Sequence, residues 1–238
     1  MADSLWRKIL LKLRNHAPGL DPAVLSYVNR SYPNNLNFSI RGRRLVPHRQ
    51  LARRCARLGA HYSSPLTSLL DLSCSKGYFV LAAAQQPGCQ RALGIDVFEH
   101  DVTVSRTVAS HLQIPNARFE VLKLHELAER LAEFGGPFDT VLLVNTYQYL
   151  FFGGDRAAHC YESHQRIFDL IRQTCRGRLI FNNRTELKDC QNEEAVARAG
   201  ARANEYEPAK ILAAAGQFFR PVAQEVLGRY PLWVLEAK

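Results

Sequence analysis

The stretch Ser68-Leu-Leu-Asp-Leu-Ser-Cys-Ser-Lys-Gly-Tyr-Phe79, continuing into Val80-Leu81-Ala82, most constrains what this chain can fold into. Leu69-Leu70-Asp71-Leu72 is a short apolar run of strand length. It breaks into Ser73-Cys74-Ser75-Lys76-Gly77 and resumes as an apolar helical pattern from Tyr78. A strand, a tight turn of small residues and a helix open a βαβ unit. Such a turn lies outside the carboxyl end of a strand, where open α/β sheets bind ligands.

Alternating patterns follow. Strands are expected over about 68–73, 91–96, 116–123, 138–145 and 177–182, with helices from Gly77, over 102–112, after His125, over 158–175 and over 207–215, the last ended by Gly216. Strands alternating with helices imply a parallel sheet. Two final strands, about 219–227 and 232–237, read as an antiparallel hairpin around Tyr230-Pro231.

Asp71-Leu-Ser-Cys-Ser-Lys-Gly77 resembles the first motif of class I S-adenosylmethionine-dependent methyltransferases, usually Asp-x-Gly-x-Gly-x-Gly. Ala92-Leu-Gly-Ile-Asp96 is similar to the family's second strand, which ends in an acid. The resemblance implies a Rossmann-like α/β fold with a seven-stranded, mostly parallel sheet and an antiparallel last strand. It covers about residues 45–238, the expected methyltransferase domain; residues 1–44 form a basic helical N-terminal extension. It also implies S-adenosyl-L-methionine as cofactor, bound by Asp71, Ser73, Ser75, Gly77, Asp96 and Asn145, with Asp96 on the ribose hydroxyls. Helix capping is the alternative use of Asp96.

This sequence departs from the family pattern. Ser73 and Ser75 replace two glycines. Where relatives place an acid on the adenine amino group, Leu124 stands, leaving a backbone carbonyl or Glu126 as substitutes. Asn145-Thr-Tyr-Gln-Tyr-Leu150 occupies the fourth motif and lacks the Asn/Asp-Pro-Pro-Tyr pattern of amino-group enzymes acting on adenine or glutamine. That difference points to transfer onto oxygen of a small or modestly sized acceptor. Asn145, Tyr147 and His100 are the catalytic candidates; His125 is a further possible base, and Tyr147 and Tyr149 read equally as half-buried aromatics.

The net charge of +9 is unevenly spread. Residues 1–70 hold 12 Lys and Arg against Asp3 and Asp21, so the excess base precedes the motif. Asp3–Arg14 reads as a basic amphipathic helix with Leu5, Ile9 and Leu13 on one face. In the Arg-rich segment 41–57, Arg49, Arg53 and Arg57 recur at spacing four, while Leu51, Cys55 and Leu58 face the core. The stripe is either a solvated face or a surface for an anionic acceptor or RNA. An RNA methyltransferase and a non-catalytic binding protein of the same fold are therefore the alternatives to a small-molecule enzyme. Six cysteines form no Cys-x-x-Cys pair and no zinc-ligand cluster, so no metal is expected. They read as reduced thiols of a cytoplasmic protein. Basic residues interrupt any leader-like apolar core, and no apolar run reaches membrane-span length.

Overall fold

A computed structural model of the protein describes residues 17–30, 37–155, 159–161, 163–191 and 193–238. The expected helix over Leu5–Leu13 lies outside them. Helix α1 (Pro22–Asn29) starts where the Asp21 side chain accepts from the Ala23 N–H at 2.7 Å. A hairpin follows, β1 (Phe38–Arg41) and β2 (Arg44–Pro47), with Arg41 opposite Arg44. The basic Arg41–Arg44 segment is thus the tip of a hairpin. Gly42, at φ +57°, supplies the turn. Helix α2 (Arg49–Gly59) then buries Leu51 and Leu58, and Cys55 is half-buried.

The main sheet is built from β3 (Ser68–Asp71), β4 (Arg91–Asp96), β5 (Ala117–Val121), β6 (Phe138–Val144), β7 (Cys175–Asn182), β8 (Phe219–Leu227) and β9 (Tyr230–Ala237). Their order is β5-β4-β3-β6-β7-β9-β8. The pairs β3–β4, β3–β6, β4–β5 and β6–β7 are parallel; β9 runs antiparallel to β7 and β8. The reversal of strand order beside β3 opens a crevice at the carboxyl ends of β3 and β6.

Strand alternation decides which layer each residue enters. Leu69, Leu142 and Ile180 join one apolar cluster, with α2, α3 (Tyr78–Ala84) and α4 (Glu99–Leu112) over them. Leu70, Val141, Leu143 and Phe181 join the other, beneath α5 (Leu124–Glu129), α7 (His164–Thr174) and α9 (Pro208–Phe218). The period-2 pattern thus splits one run of leucines between two cores. Val28, Phe38 and Ile40 pack into the first cluster with Leu58 and Val80, tying the N-terminal elements to the sheet.

Several boundaries differ from the sequence expectation. Helix α7 starts at His164, where the Ser163 hydroxyl accepts from the Arg166 N–H at 3.2 Å. Helix α9 runs through Gly216 to Phe218; an interior glycine costs only about 1 kcal/mol, which burial of Ile211, Ala214 and Ala215 outweighs. The last hairpin turns at Gly228-Arg229, so Tyr230 and Pro231 belong to β9. Gly228 has φ +71° and suits a two-residue turn. Two further helices, α6 (Tyr147–Phe152) and α8 (Glu193–Ala199), are too short to show a period in sequence. Among the described residues, no helix is long and apolar enough to cross a membrane.

Candidate cofactor and acceptor site

The loop after β3 folds back over β4. Cys74 N–H donates to the Ile95 carbonyl at 2.9 Å, and Gly77 N–H to the Cys74 carbonyl at 2.8 Å. Cys74 lies so close to β4 that a Cβ on Gly94 would sit 2.7 Å from the Cys74 Cβ. Gly77 has φ +75°, and a Cβ there would meet Phe119 and Ser105 Oγ at 2.7 Å. No side chain fits at Gly77 without displacement.

Ser75 adopts φ +46°, the left-handed region that usually calls for glycine. Every polar group it offers is engaged. Its N–H donates to Asp96 Oδ2 at 2.9 Å, its Oγ to Asp101 Oδ2 at 3.2 Å, and its carbonyl accepts from Ser105 Oγ at 3.1 Å. These bonds offset the strain of a non-glycine residue there. Ser75 therefore packs inward, whereas Ser73 lines the crevice.

Lys76, 0% exposed, donates from Nζ to the Arg30 carbonyl at 2.7 Å and sits 5.1 Å from the centroid of Tyr27. The Tyr27 hydroxyl donates to Asp101. Helix α1 is thereby fastened to the loop. Burial lowers the Lys76 pKa to about 8, with Asp101 opposing and Arg30 adding to the shift.

Asp71 is buried at the end of β3. Its Oδ1 accepts from the Ser73 N–H at 3.2 Å, while Oδ2 has no partner. Burial raises its pKa to about 7; the Ser73 N–H opposes this, Asp96 adds to it, and Arg54 opposes it. Burial outweighs the attraction of the nearby guanidinium. Asp96 accepts from the Phe98 N–H at 3.0 Å through Oδ1. It is not the cap of α4: Phe98 holds that position.

A cavity of about 350 Å³ opens at the carboxyl ends of β3, β4, β5 and β6. Ser73, Asp96, Leu124, Asn145, Tyr149 and His159 are among its walls. A larger, open depression of about 590 Å³ lies between α4 and β5, and no residue from the ends of β3, β4 or β6 lines it. The smaller cavity is therefore the candidate site. Glu126 is not on its wall: Glu126 Oε2 accepts from the Lys123 N–H at 2.7 Å, so the carboxylate turns back on its own helix.

Of the three catalytic candidates, only Asn145 lines the cavity. It has φ +58°, and its Oδ1 is buried without a partner. Tyr147 is fully buried, with its hydroxyl 2.6 Å from His164 Nδ1 and its ring among Phe168, Phe181 and Tyr206. This is a core tyrosine, displaced from the site because α6 begins there and turns it under the sheet. His100 is exposed and packs edge-on against Tyr27, at 4.6 Å between centroids. His125 Nδ1 lies 3.0 Å from the Tyr161 hydroxyl. His159, missed in the sequence, packs at a tilt against His125, with 4.7 Å between ring centroids, and reaches the cavity wall. Nothing in the sequence around His159 marks it, because it enters from the segment joining α6 to α7.

Arg49, Arg53 and Arg57 are exposed, and Arg57 pairs with Glu225 on β8. Arg54 turns inward instead and donates to Asn182 Oδ1 at 3.3 Å, at the carboxyl end of β7. Helical spacing carried this signal: Arg54 lies three residues after Leu51 and four before Leu58, on the apolar face. Burial lowers its pKa to about 10, with Asp71 opposing and Arg184 adding.

This strand order, with an antiparallel β9 and a site at the ends of β3 to β6, defines a class I methyltransferase fold. The chain belongs to the family described as a methyltransferase domain, which matches residues 63–215. No curated protein matches it in sequence. Among solved structures it is similar to N-methyltransferase NodS from Bradyrhizobium japonicum WM9, at 13% identity and TM-score 0.54, over 79% of this chain and 96% of that one. It is similar to the PH0226 protein from Pyrococcus horikoshii OT3 at 19% identity and TM-score 0.55, over 79% and 92%. The N-terminal domain of EvdMO1, solved with S-adenosylhomocysteine bound, shares 16% identity at TM-score 0.51, over 79% and 80%.

Proposed function

We propose that the protein is a methyltransferase acting at an oxygen of a small or modestly sized acceptor. The observation that carries this is a pair of buried acceptor atoms without partners, Asp71 Oδ2 and Asn145 Oδ1, at the ends of β3 and β6. Native proteins leave few buried polar atoms unsatisfied, and each such atom calls for a ligand or water. A methyltransferase domain and neighbours solved with S-adenosylhomocysteine imply S-adenosylmethionine as cofactor. The residues present fit it: a buried carboxylate for its ammonium end, an acid at the second strand for its ribose, and a small Ser73 on the wall.

When bound, the cofactor supplies an electrophilic methyl group on a sulfonium. Asp71, buried at the end of β3, would hold its ammonium group, and Asp96 its ribose hydroxyls. Leu122 and Leu124 on the cavity wall would offer apolar surface to its base. Asn145 Oδ1 accepts the acceptor's O–H and so orients its oxygen. Alignment of this kind supplies up to ~7–11 kcal/mol of a barrier. Oxygen is favoured over nitrogen because Asn145-Thr-Tyr-Gln-Tyr149 lacks the Asn/Asp-Pro-Pro-Tyr pattern. Six free cysteines suit a reducing, cytoplasmic setting.

Calorimetric titration with S-adenosylmethionine and S-adenosylhomocysteine tests the cofactor. Binding is expected in the wild type; its absence leaves a non-catalytic protein with the fold. Incubation of cell extract with methyl-labelled cofactor tests the acceptor. Label is expected in the small-molecule fraction, and label in RNA overturns that part of the proposal.

A further inference from the structure

Among the described residues, four buried side-chain atoms have no hydrogen-bond partner: Asp71 Oδ2, Asn145 Oδ1, Gln148 Nε2 and Arg184 Nε. Asp71 ends β3, Asn145 and Gln148 follow β6, and Arg184 follows β7 by two residues. All four therefore come from the carboxyl-end segments of three adjacent strands. Two are acceptors and two are donors. The acceptors are accounted for by the cofactor and the acceptor's hydroxyl; the donors are not.

Arg184 is the more demanding of the two donors. Its guanidinium stacks 4.8 Å from the centroid of Tyr230. Its backbone carbonyl is held by the Tyr206 hydroxyl at 2.7 Å. A second guanidinium, that of Arg54, comes to the same strand end through Asn182 and is close enough to Arg184 to feel its charge. Asp71 acts on Arg54 in the opposite sense, and more strongly than Arg184 does. Arg184 nonetheless keeps a buried Nε donor with no partner, at a strand end that Arg54 also reaches.

We propose that Arg184 and Arg54 form an oxyanion subsite that grips a carboxylate or phosphate of the methyl acceptor. The proposal rests on the methyltransferase reading and names the substrate class for it: a small molecule bearing both a hydroxyl and an oxyanion. Guanidinium groups suit this task because their planar N–H forks match either oxyanion in bidentate fashion. Asn182, which Arg54 reaches, accepts the Asn145 N–H through its carbonyl at 2.9 Å, so an acceptor anchored at its anionic end would present its hydroxyl towards Asn145.

The test uses two simple probes, inorganic phosphate and malonate. Each is titrated calorimetrically into the protein saturated with S-adenosylhomocysteine, at constant ionic strength set with chloride. One of the probes is expected to bind the wild type, the identity of that probe deciding between phosphate and carboxylate. Its dissociation constant is expected to rise at least about tenfold in Arg184→Gln, while S-adenosylhomocysteine affinity stays within about threefold. Arg184→Lys, which keeps the charge and loses the fork, is expected to fall between the two and covers the case in which the Gln variant does not fold. Equal probe binding by wild type and variants, or no binding of either probe, overturns the proposal. So does a loss of S-adenosylhomocysteine binding in Arg184→Gln, which would give the guanidinium to the cofactor. If the wild type binds no S-adenosylhomocysteine, the cofactor reading fails separately, and the same titrations on the protein alone still decide the oxyanion subsite.

Discussion

The Ser75 N–H donates to Asp96 Oδ2 at 2.9 Å, so the residue that replaces a motif glycine is held by the acid assigned to the cofactor's ribose. One carboxylate thus braces both the loop after β3 and the turn after β4, where it accepts from the Phe98 N–H. Loss of Asp96 removes a wall of the cavity and a brace of the loop together. Asp96→Ala is expected to weaken S-adenosylhomocysteine binding by at least about 1.5–3 kcal/mol, the worth of hydrogen bonds to a charged acceptor. The variant is expected to remain folded, as checked by circular dichroism. Unchanged affinity in the folded variant would remove Asp96 from the cofactor site.

The glycine reversions separate strain from contact. Ser75→Gly relieves a left-handed residue but loses the hydroxyl bond to Asp101. Relief of about 1–2 kcal/mol of left-handed strain opposes loss of a bond to a carboxylate worth about 1.5–3 kcal/mol, so the urea midpoint is expected to move little or to fall slightly. Ser73→Gly only enlarges the wall of the cavity. The double variant is expected to keep cofactor affinity within about tenfold, roughly 1.4 kcal/mol. Binding that appears only in the double variant would show that the serines close the natural site.

Gly77 is a different case. Its φ of +75° and the 2.7 Å approach to Phe119 and Ser105 Oγ act against any side chain. Gly77→Ala is expected to cost about 2–4 kcal/mol, combining left-handed strain and overpacking. Denaturant unfolding measures the loss directly.

Much of the sheet was legible because its strands are short apolar runs bounded by small or turn residues. The strand from Arg91 to Asp96 and the helix opening at Tyr78 fall where the pattern puts them. The missing parts share one cause, which is that they depend on distant packing. Helix α6 is six nearly continuous apolar residues, with no period to read. His159 reaches the cavity through packing against His125, a residue 34 positions earlier. Arg54 was legible in principle from its place between Leu51 and Leu58, but the regular Arg49, Arg53, Arg57 spacing drew the charge argument to the exposed face. Arg184 gives no local signal; its importance comes from β7 ending beside β6.

With Asp71 proposed as the partner of the cofactor's ammonium group, cofactor binding is expected to depend on pH. Its pKa of about 7 in the free protein means the carboxyl is largely protonated at pH 6 and largely ionised at pH 8. The proposed ammonium contact needs the ionised form. Affinity is therefore expected to rise about tenfold between pH 6 and pH 8, following the ionised fraction. Asp71→Asn is expected to bind more weakly at pH 8 and to show a flat response. A wild-type affinity independent of pH over this range would take the ammonium away from Asp71.

Lys76 links pH to the stability of the fold itself. Its folded pKa of about 8 lies below the ordinary 10.5, because burial disfavours the ammonium. Between those values the unfolded chain binds more protons than the folded one. The contribution of Lys76 to stability therefore rises with pH across that window, and its cost is greatest below about pH 8. Lys76→Met keeps the buried volume and removes the titrating group, along with the bond to the Arg30 carbonyl. Urea unfolding of both proteins at pH 7 and pH 9.5 isolates the effect, since the other titrating groups are common to both. The wild type is expected to gain on the variant as pH rises. A constant difference would mean that Lys76 keeps its ordinary pKa, with the Arg30 carbonyl and Asp101 compensating in full for its removal from water.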